Sequence, residues 1–225
     1  MRIILLLFLL VSTVLSAQTN NLTKENNYLE DQIYIGLNYI NAVNLPGGVR
    51  QNGFSNSLSF GFIKDIPINK KRNVAFGIGL GYGHNTYFQN LKIYTVNNST
   101  VFEILDGVDY EKNKFSSHTL EIPLEFRWRD SSIDKYKFWR LYIGAKLSYA
   151  FLTKAKFKDK ESKTKIVGIP EFNNFQYGLT LAAGHGVWNF NFYYGLSDLL
   201  SNANINATTP VVFRDFRLGF IFYIF

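Results

Sequence analysis

Three histidines, His84, His118 and His185, are the natural starting point for chemistry, because an imidazole held beside an acid can work as a general acid or base. His84 and His118 fall at the same end of two neighbouring apolar segments and could approach each other, as in a hydrolase or acyltransferase with a catalytic rim. No serine or acid stands at a spacing that fixes a triad with them, and both fall in the outward-facing frame. His185 lies in a two-residue turn. Widely spaced histidines without cysteine or clustered acids define no metal site, so these are read as rim side chains. No catalytic, metal-binding or cofactor-binding residue is assigned. Gly77, Gly79, Gly81 and Gly83 could suggest a phosphate-cradling loop, but they alternate strictly within a strand and precede no helix. They are expected to make room for Arg127, Arg140, Tyr142 and Lys146 from across a sheet.

A second constellation is ionic: Glu121, Glu125, Arg127, Arg140 and Lys146 sit at alternate positions of two consecutive segments. Pairing Trp128 with Trp139 across the intervening turn sets Arg127 opposite Arg140, Glu125 opposite Tyr142 and Glu121 opposite Lys146. Glu121 and Lys146 then form a buried pair, with Glu125 diagonal to two arginines. Such a network either fills a narrow interior or lines a polar path. The second option needs room for water that an eight-stranded barrel does not normally leave, so no diffusion pore is expected. Pro123 removes a ladder donor in mid-strand, for which a bulge is the economical remedy.

These residues need elements to hold them, and the dominant pattern is period two. Segments 33–39, 54–62, 74–82, 120–128, 139–149, 175–182, 188–195 and 216–222 alternate bulky apolar residues with glycine, serine or charge. The clearest has Val74, Phe76, Ile78, Leu80 and Tyr82 against Ala75, Gly77, Gly79 and Gly81. Connections alternate too: 64–73, 129–138 and the His185-Gly186 turn are short, whereas 41–53, 84–118, 152–174 and 197–210 are long. Short periplasmic turns, long external loops and an even strand count are the habits of outer-membrane barrels. The stretch 91–105 reads as a hairpin around Asn97-Asn98, with arms too short to cross a bilayer, and is expected to project.

Past the N-terminus no run of about 18 apolar residues exists, which excludes a membrane helix. The start itself, Arg2 followed by an apolar run to Leu15 and small residues at Ser16 and Ala17, reads as a signal peptide. The expected organisation is a signal at 1–17, a short periplasmic segment at 18–30 and a barrel at 31–225. The absence of cysteine leaves neither a disulfide framework nor a lipidation site. Trp128, Trp139 and Trp188, the three tryptophans, lie near short turns, while Tyr82, Tyr149 and Tyr194 fall toward the long loops, as two interfacial aromatic belts would. A soluble lipocalin-like barrel would turn its small, uncharged residues to water and overfill its interior with aromatics. The expected fold is therefore all-β, an eight-stranded antiparallel transmembrane barrel of the outer membrane with both termini periplasmic. The net charge of +7 comes largely from lysine-rich connections around Lys64 to Arg72 and Lys154 to Lys165. This points to solvated loops beside anionic lipid and excludes nucleic acid as a partner.

The residues His118-Thr119-Leu120-Glu121-Ile122-Pro123-Leu124 resemble the LEIPL signature of small outer-membrane barrels abundant in Bacteroidota. The continuation Glu125-Phe126-Arg127-Trp128-Arg129 and then Tyr136-Lys137-Phe138-Trp139-Arg140-Leu141-Tyr142 is similar to the PorT family. That resemblance implies association with type IX secretion, which exports cargo bearing C-terminal sorting domains and supports adhesins of gliding motility. It implies no enzymatic activity, no cofactor and, as partners, other envelope or secretion-system proteins. The alternative is a general surface barrel whose loops bind lipopolysaccharide or an external ligand.

Overall fold

The computed structural model describes residues 31–97, 99–130, 138–205 and 208–224. The expected signal and periplasmic segments at 1–30, the 131–137 part of the PorT-like stretch and the terminal Phe225 lie outside the described residues. Alternating sequence makes extended chain, bulky side chains leaving one face and small ones the other. The strands are β1 (Gln32–Val43), β2 (Asn56–Pro67), β3 (Val74–Phe88), β4 (Leu91–Val96), β5 (Ser99–Ile104), β6 (Lys112–Arg129), β7 (Trp139–Lys158), β8 (Lys163–Val167), β9 (Phe175–His185), β10 (Trp188–Gly195), β11 (Asn204–Ile205), β12 (Thr209–Pro210) and β13 (Arg214–Ile224).

Eight of these form the wall in the order β6-β3-β2-β1-β13-β10-β9-β7, and β6 pairs with β7 to close it. All wall pairings are antiparallel. Closure satisfies each strand on both sides and abolishes the sheet edge, the condition for crossing a bilayer with strands. The burial pattern is inside out relative to a soluble protein. Leu37 is 51 %, Ile143 53 % and Phe190 56 % exposed on the outer wall, while Arg127 is fully buried in the lumen. The protein is thus a closed, eight-stranded antiparallel transmembrane β-barrel.

Three local expectations are corrected. First, β6 and β7 pair with Arg129 opposite Arg140, so Arg127 faces Tyr142, Glu125 faces Gly144 and Glu121 faces Ser148. The predicted register was two residues out. An even offset keeps every side chain on its predicted face but changes its neighbours. Second, Pro123 causes no bulge. It faces Lys146 on β7 in regular register, and the β3 ladder is interrupted between Ile78–Leu124 and Gly81–Glu121 without slipping. Gly79 makes this possible, since a Cβ there would come within 2.9 Å of the Pro123 ring. The β6–β7 register shift lies instead between His118 and Thr119, where Phe151 is the extra residue.

Third, the 91–105 hairpin does not project. Arms β4 and β5 join β11 and β12 in a second small sheet, and Leu91, Ile93 and Phe102 are buried in an apolar cluster with Tyr87, Phe115 and Phe213. Tyr87 and Phe115 stack with ring centroids 4.4 Å apart, and Phe213 meets Phe115 edge-on at 5.9 Å. The long connections thus fold into a packed cap over one mouth of the barrel. Beside it, β6 and β7 run past the wall as strands of 18 and 20 residues, and β8 pairs back on β7.

Ile143 sits midway along the apolar band, so Ile143→Arg should lower the stability of the folded barrel in lipid vesicles by about 2–4 kcal/mol. Reversible urea unfolding in those vesicles measures it, and an unchanged midpoint would contradict the lipid-facing assignment.

Candidate functional site

The polar interior is the most organised constellation of the chain, and it has two tiers. In the tier nearer the short turns, Asp65 of β2 accepts from Arg127 Nη1 at 3.1 Å and from Arg129 Nη1 and Nη2 at 2.8 Å each. Arg127 also donates through Nε to Glu125 at 3.0 Å and through Nη2 to Gln32 at 3.0 Å. In the tier nearer the long loops, Lys146 donates to Glu121 at 3.0 Å, Arg217 Nε donates to Asp215 at 2.6 Å, and Arg217 Nη1 stands 3.9 Å from Glu121. Asp215 also receives the Tyr87 hydroxyl at 3.1 Å. Each tier sets two carboxylates against two cations, which is what makes burial of full charges tolerable.

Aromatic rings fill the space between. Arg127 lies over Tyr142 at 4.7 Å, Arg217 over Tyr193 at 4.6 Å, and Tyr142 meets Tyr223 edge-on at 5.3 Å. An interior cavity bordered by Tyr34, Glu121, Glu125 and Lys146 has a volume of about 30 Å³, room for one or two waters. The lumen is a plug of ion pairs and tyrosines. Opposite it, β3 contributes absence of side chain: a Cβ on Gly77 would meet Arg127 Nε at 2.6 Å, and one on Gly83 would meet Glu121 Oε1 at 2.5 Å. Of the residues expected to use that room, only Arg127 does so; Ile63, Pro123, Tyr34, Glu121 and Thr119 take the rest.

Among the sequence-predicted residues, Glu121, Lys146, Glu125 and Arg127 do converge in the lumen. Arg140 does not join Glu125. It lies at the short-turn mouth, stacked 4.3 Å from Phe138 and donating to the Gly186 carbonyl, because the corrected register moves it beside Arg129. Asp65, Arg129, Asp215 and Arg217 were missed. Their signal was parity: Asp65 continues the inward frame of Ser57, Ser59 and Gly61, but taking Lys64 as the start of a turn cut it off.

At the short-turn rim, Trp128, Trp139 and Trp188 are exposed on β6, β7 and β10, and Trp139 and Trp188 are both cross-strand neighbours of His185. They gather on one side of the rim rather than encircling it. Gly186, at φ +62°, allows the two-residue turn below them. At the other rim His84 and His118 are opposite each other, ring centroids 4.5 Å apart. The Tyr82 hydroxyl lies 2.6 Å from His118 Nδ1, and Thr86 Oγ1 lies 3.3 Å from His84 Nε2. The described residues include no cluster of three or more side chains suited to hold a metal.

A closed barrel with apolar exterior and ionic interior defines a class, the small outer-membrane barrel. Comparison with protein families agrees: the outer membrane protein beta-barrel domain matches residues 16–201, and the chain belongs to that family. A search of curated proteins finds no match.

Replacing Asp65 by Ala leaves Arg127 and Arg129 without the carboxylate they share and should destabilise the barrel by about 3–5 kcal/mol, as breaking a buried ion cluster does. Replacing Glu111, which pairs with Lys158 in solvent, should leave the unfolding midpoint essentially in place. Urea titrations of both variants in the same vesicles give the comparison.

Proposed function

We propose that this barrel is a non-enzymatic accessory of protein secretion across the outer membrane, acting by contact through its rims, cap and wall. The plugged lumen carries the reading: an interior space of about 30 Å³ passes neither folded cargo nor an extended chain. What remains available to partners is surface. The tryptophan cluster on one side of the short-turn rim and the ordered cap at the long-loop mouth are the two most distinctive surfaces for such contacts.

The short turns and both termini are assigned to the periplasm, with residues 1–17 as a cleaved signal and 18–30 as a short segment leading into the barrel. Turn and loop lengths support that orientation. Assignment to type IX secretion rests on the PorT-like residues Glu125 to Arg129 and Tyr136 to Tyr142, of which the inward members Glu125, Arg127, Arg129 and Tyr142 help build the plug. The likeness therefore falls on the residues that give the barrel its interior. Partners are then other envelope proteins of the export machinery, and the histidine rim pair is structural. The Lys-rich hairpin favours the second reading, a surface barrel that engages lipopolysaccharide.

Deletion of the gene should leave sorting-domain cargo inside the cell, and complementation should restore its surface delivery. Unchanged delivery in a clean deletion strain would refute the secretion role. In planar bilayers the purified barrel should give no stepwise conductance; regular open-channel steps would refute the plug.

A further inference from the structure

Beyond the wall, β6 and β7 continue with β8 as a three-stranded ribbon, and the β6–β7 register shift decides what its outer face presents. Up to Tyr149 the odd-numbered residues of β7 face outward; the extra residue Phe151 reverses that parity, so Leu152, Lys154, Lys156 and Lys158 take the outer face. Without the bulge Thr153, Ala155 and Phe157 would lie there instead. Phe115, Ala155 and Phe157, on the inner side, are buried.

The lysines fall in cross-strand rows. Lys112, Lys158 and Lys163 form one, Lys114, Lys156 and Lys165 the next, and Lys154 stands below them between Ser116 and Val167. Five of the seven are exposed, and Lys114 and Lys154 are half-buried. Neighbouring strands are about 4.8 Å apart and alternate residues about 6.7 Å, so the ammonium groups crowd a small area. Like charges directly opposite oppose folding, and little on the chain offsets them. Glu111 binds Lys158, while Asp159 is occupied by the backbone amides of Glu161 and Ser162 in its own turn. No carboxylate lies on the outer face of the three strands. Burial, then repulsion from Lys112 and Lys156, lowers the pKa of the Lys114 ammonium, which lies 5.3 Å from the centre of the Phe88 ring.

Directly beneath this face come His84 and His118, and below them Tyr82, Leu120 and Tyr149 of the lipid-facing wall. A ligand that brings several anionic groups to the lysines and acyl chains to the wall below fits both surfaces. Resting on the orientation proposed above, we infer that the outer face of β6–β7–β8 is a binding site for the phosphate groups of a phosphorylated glycolipid of the outer leaflet. A soluble phosphate would meet the charge but leave the continuity with the apolar band unexplained.

The test uses the full chain folded in micelles and titrated with bisphosphorylated lipid A. Folding of every variant is checked by its shift in gel mobility on boiling. The variant Lys114→Gln/Lys154→Gln/Lys156→Gln/Lys165→Gln should bind at least about tenfold more weakly, since each lysine at an anionic lipid surface contributes about fivefold. The control Lys64→Gln/Lys70→Gln/Lys71→Gln, at the short-turn end, should bind like the parent. Equal affinity of both variants would overturn the proposal, as would displacement of the lipid by equimolar inorganic phosphate. Orientation is read separately. The chain has no cysteine, so Lys163→Cys in intact cells should react with an impermeant maleimide. Protection until the outer membrane is opened would overturn the orientation and the outer-leaflet assignment with it, whatever the titration gives.

Discussion

Burial of balanced charge in the lumen is the constraint on which the rest of this structure depends. Asp65 and Glu125 offset Arg127 and Arg129 in one tier, and Glu121 and Asp215 offset Lys146 and Arg217 in the other. In an interior this narrow an unmatched charge would have at most a water or two and no partner, and its desolvation would outweigh several good contacts. The tiers also tie together strands remote in sequence. Asp65 of β2 reaches past β3 to Arg127 and Arg129 of β6, Lys146 of β7 reaches Glu121 of the neighbouring β6, and the 3.9 Å approach of Arg217 on β13 to Glu121 on β6 joins strands on opposite sides of the wall, so the ion pairs add ties across the lumen to the backbone ladders around the circumference.

Filling the interior with ions and tyrosines has a consequence for function. In the function proposed above, it removes transport through the barrel from the available activities and leaves the outside to do the work. The exterior is divided into an apolar band, a one-sided tryptophan cluster at one rim, and a capped, lysine-faced extension at the other. The cap is a true apolar core, with Phe115 packed among Tyr87, Phe172 and Phe213. The long connections are therefore a small folded layer that can hold a ribbon of like charges in fixed geometry.

The β6–β7 bulge shows how one residue can redirect a surface. An extra residue at Phe151 turns the following lysines outward, and the same event sends Phe157 into the cap. Regular pairing would have put lysine into the apolar cap and phenylalanine into water. The bulge thus serves both packing and the surface chemistry of the extension, although a proline in mid-strand, Pro123, was the more obvious sequence signal for an irregularity.

Period-two alternation determined the eight wall strands, the faces of the first seven and the inside-out distribution of charge, because each face choice depends only on a residue's own parity; the last strand, apolar on both sides over its final six residues, kept an open frame. It also placed Glu121, Glu125, Arg127 and Lys146 in one interior. Partner identity was another matter. The offset of two residues between β6 and β7 is invisible to parity, so Arg140 was set opposite Arg127 when its partner across the ladder is Arg129; Asp65 was lost for a different reason, because Lys64 was read as the start of a turn. Whether a loop packs or projects is equally non-local: Leu91, Ile93 and Phe102 are ordinary hairpin residues until β11 and the residues around Phe172 and Phe213 close over them. Register, bulge and cap depend on contacts between segments far apart in the chain, and only the tertiary structure could decide them.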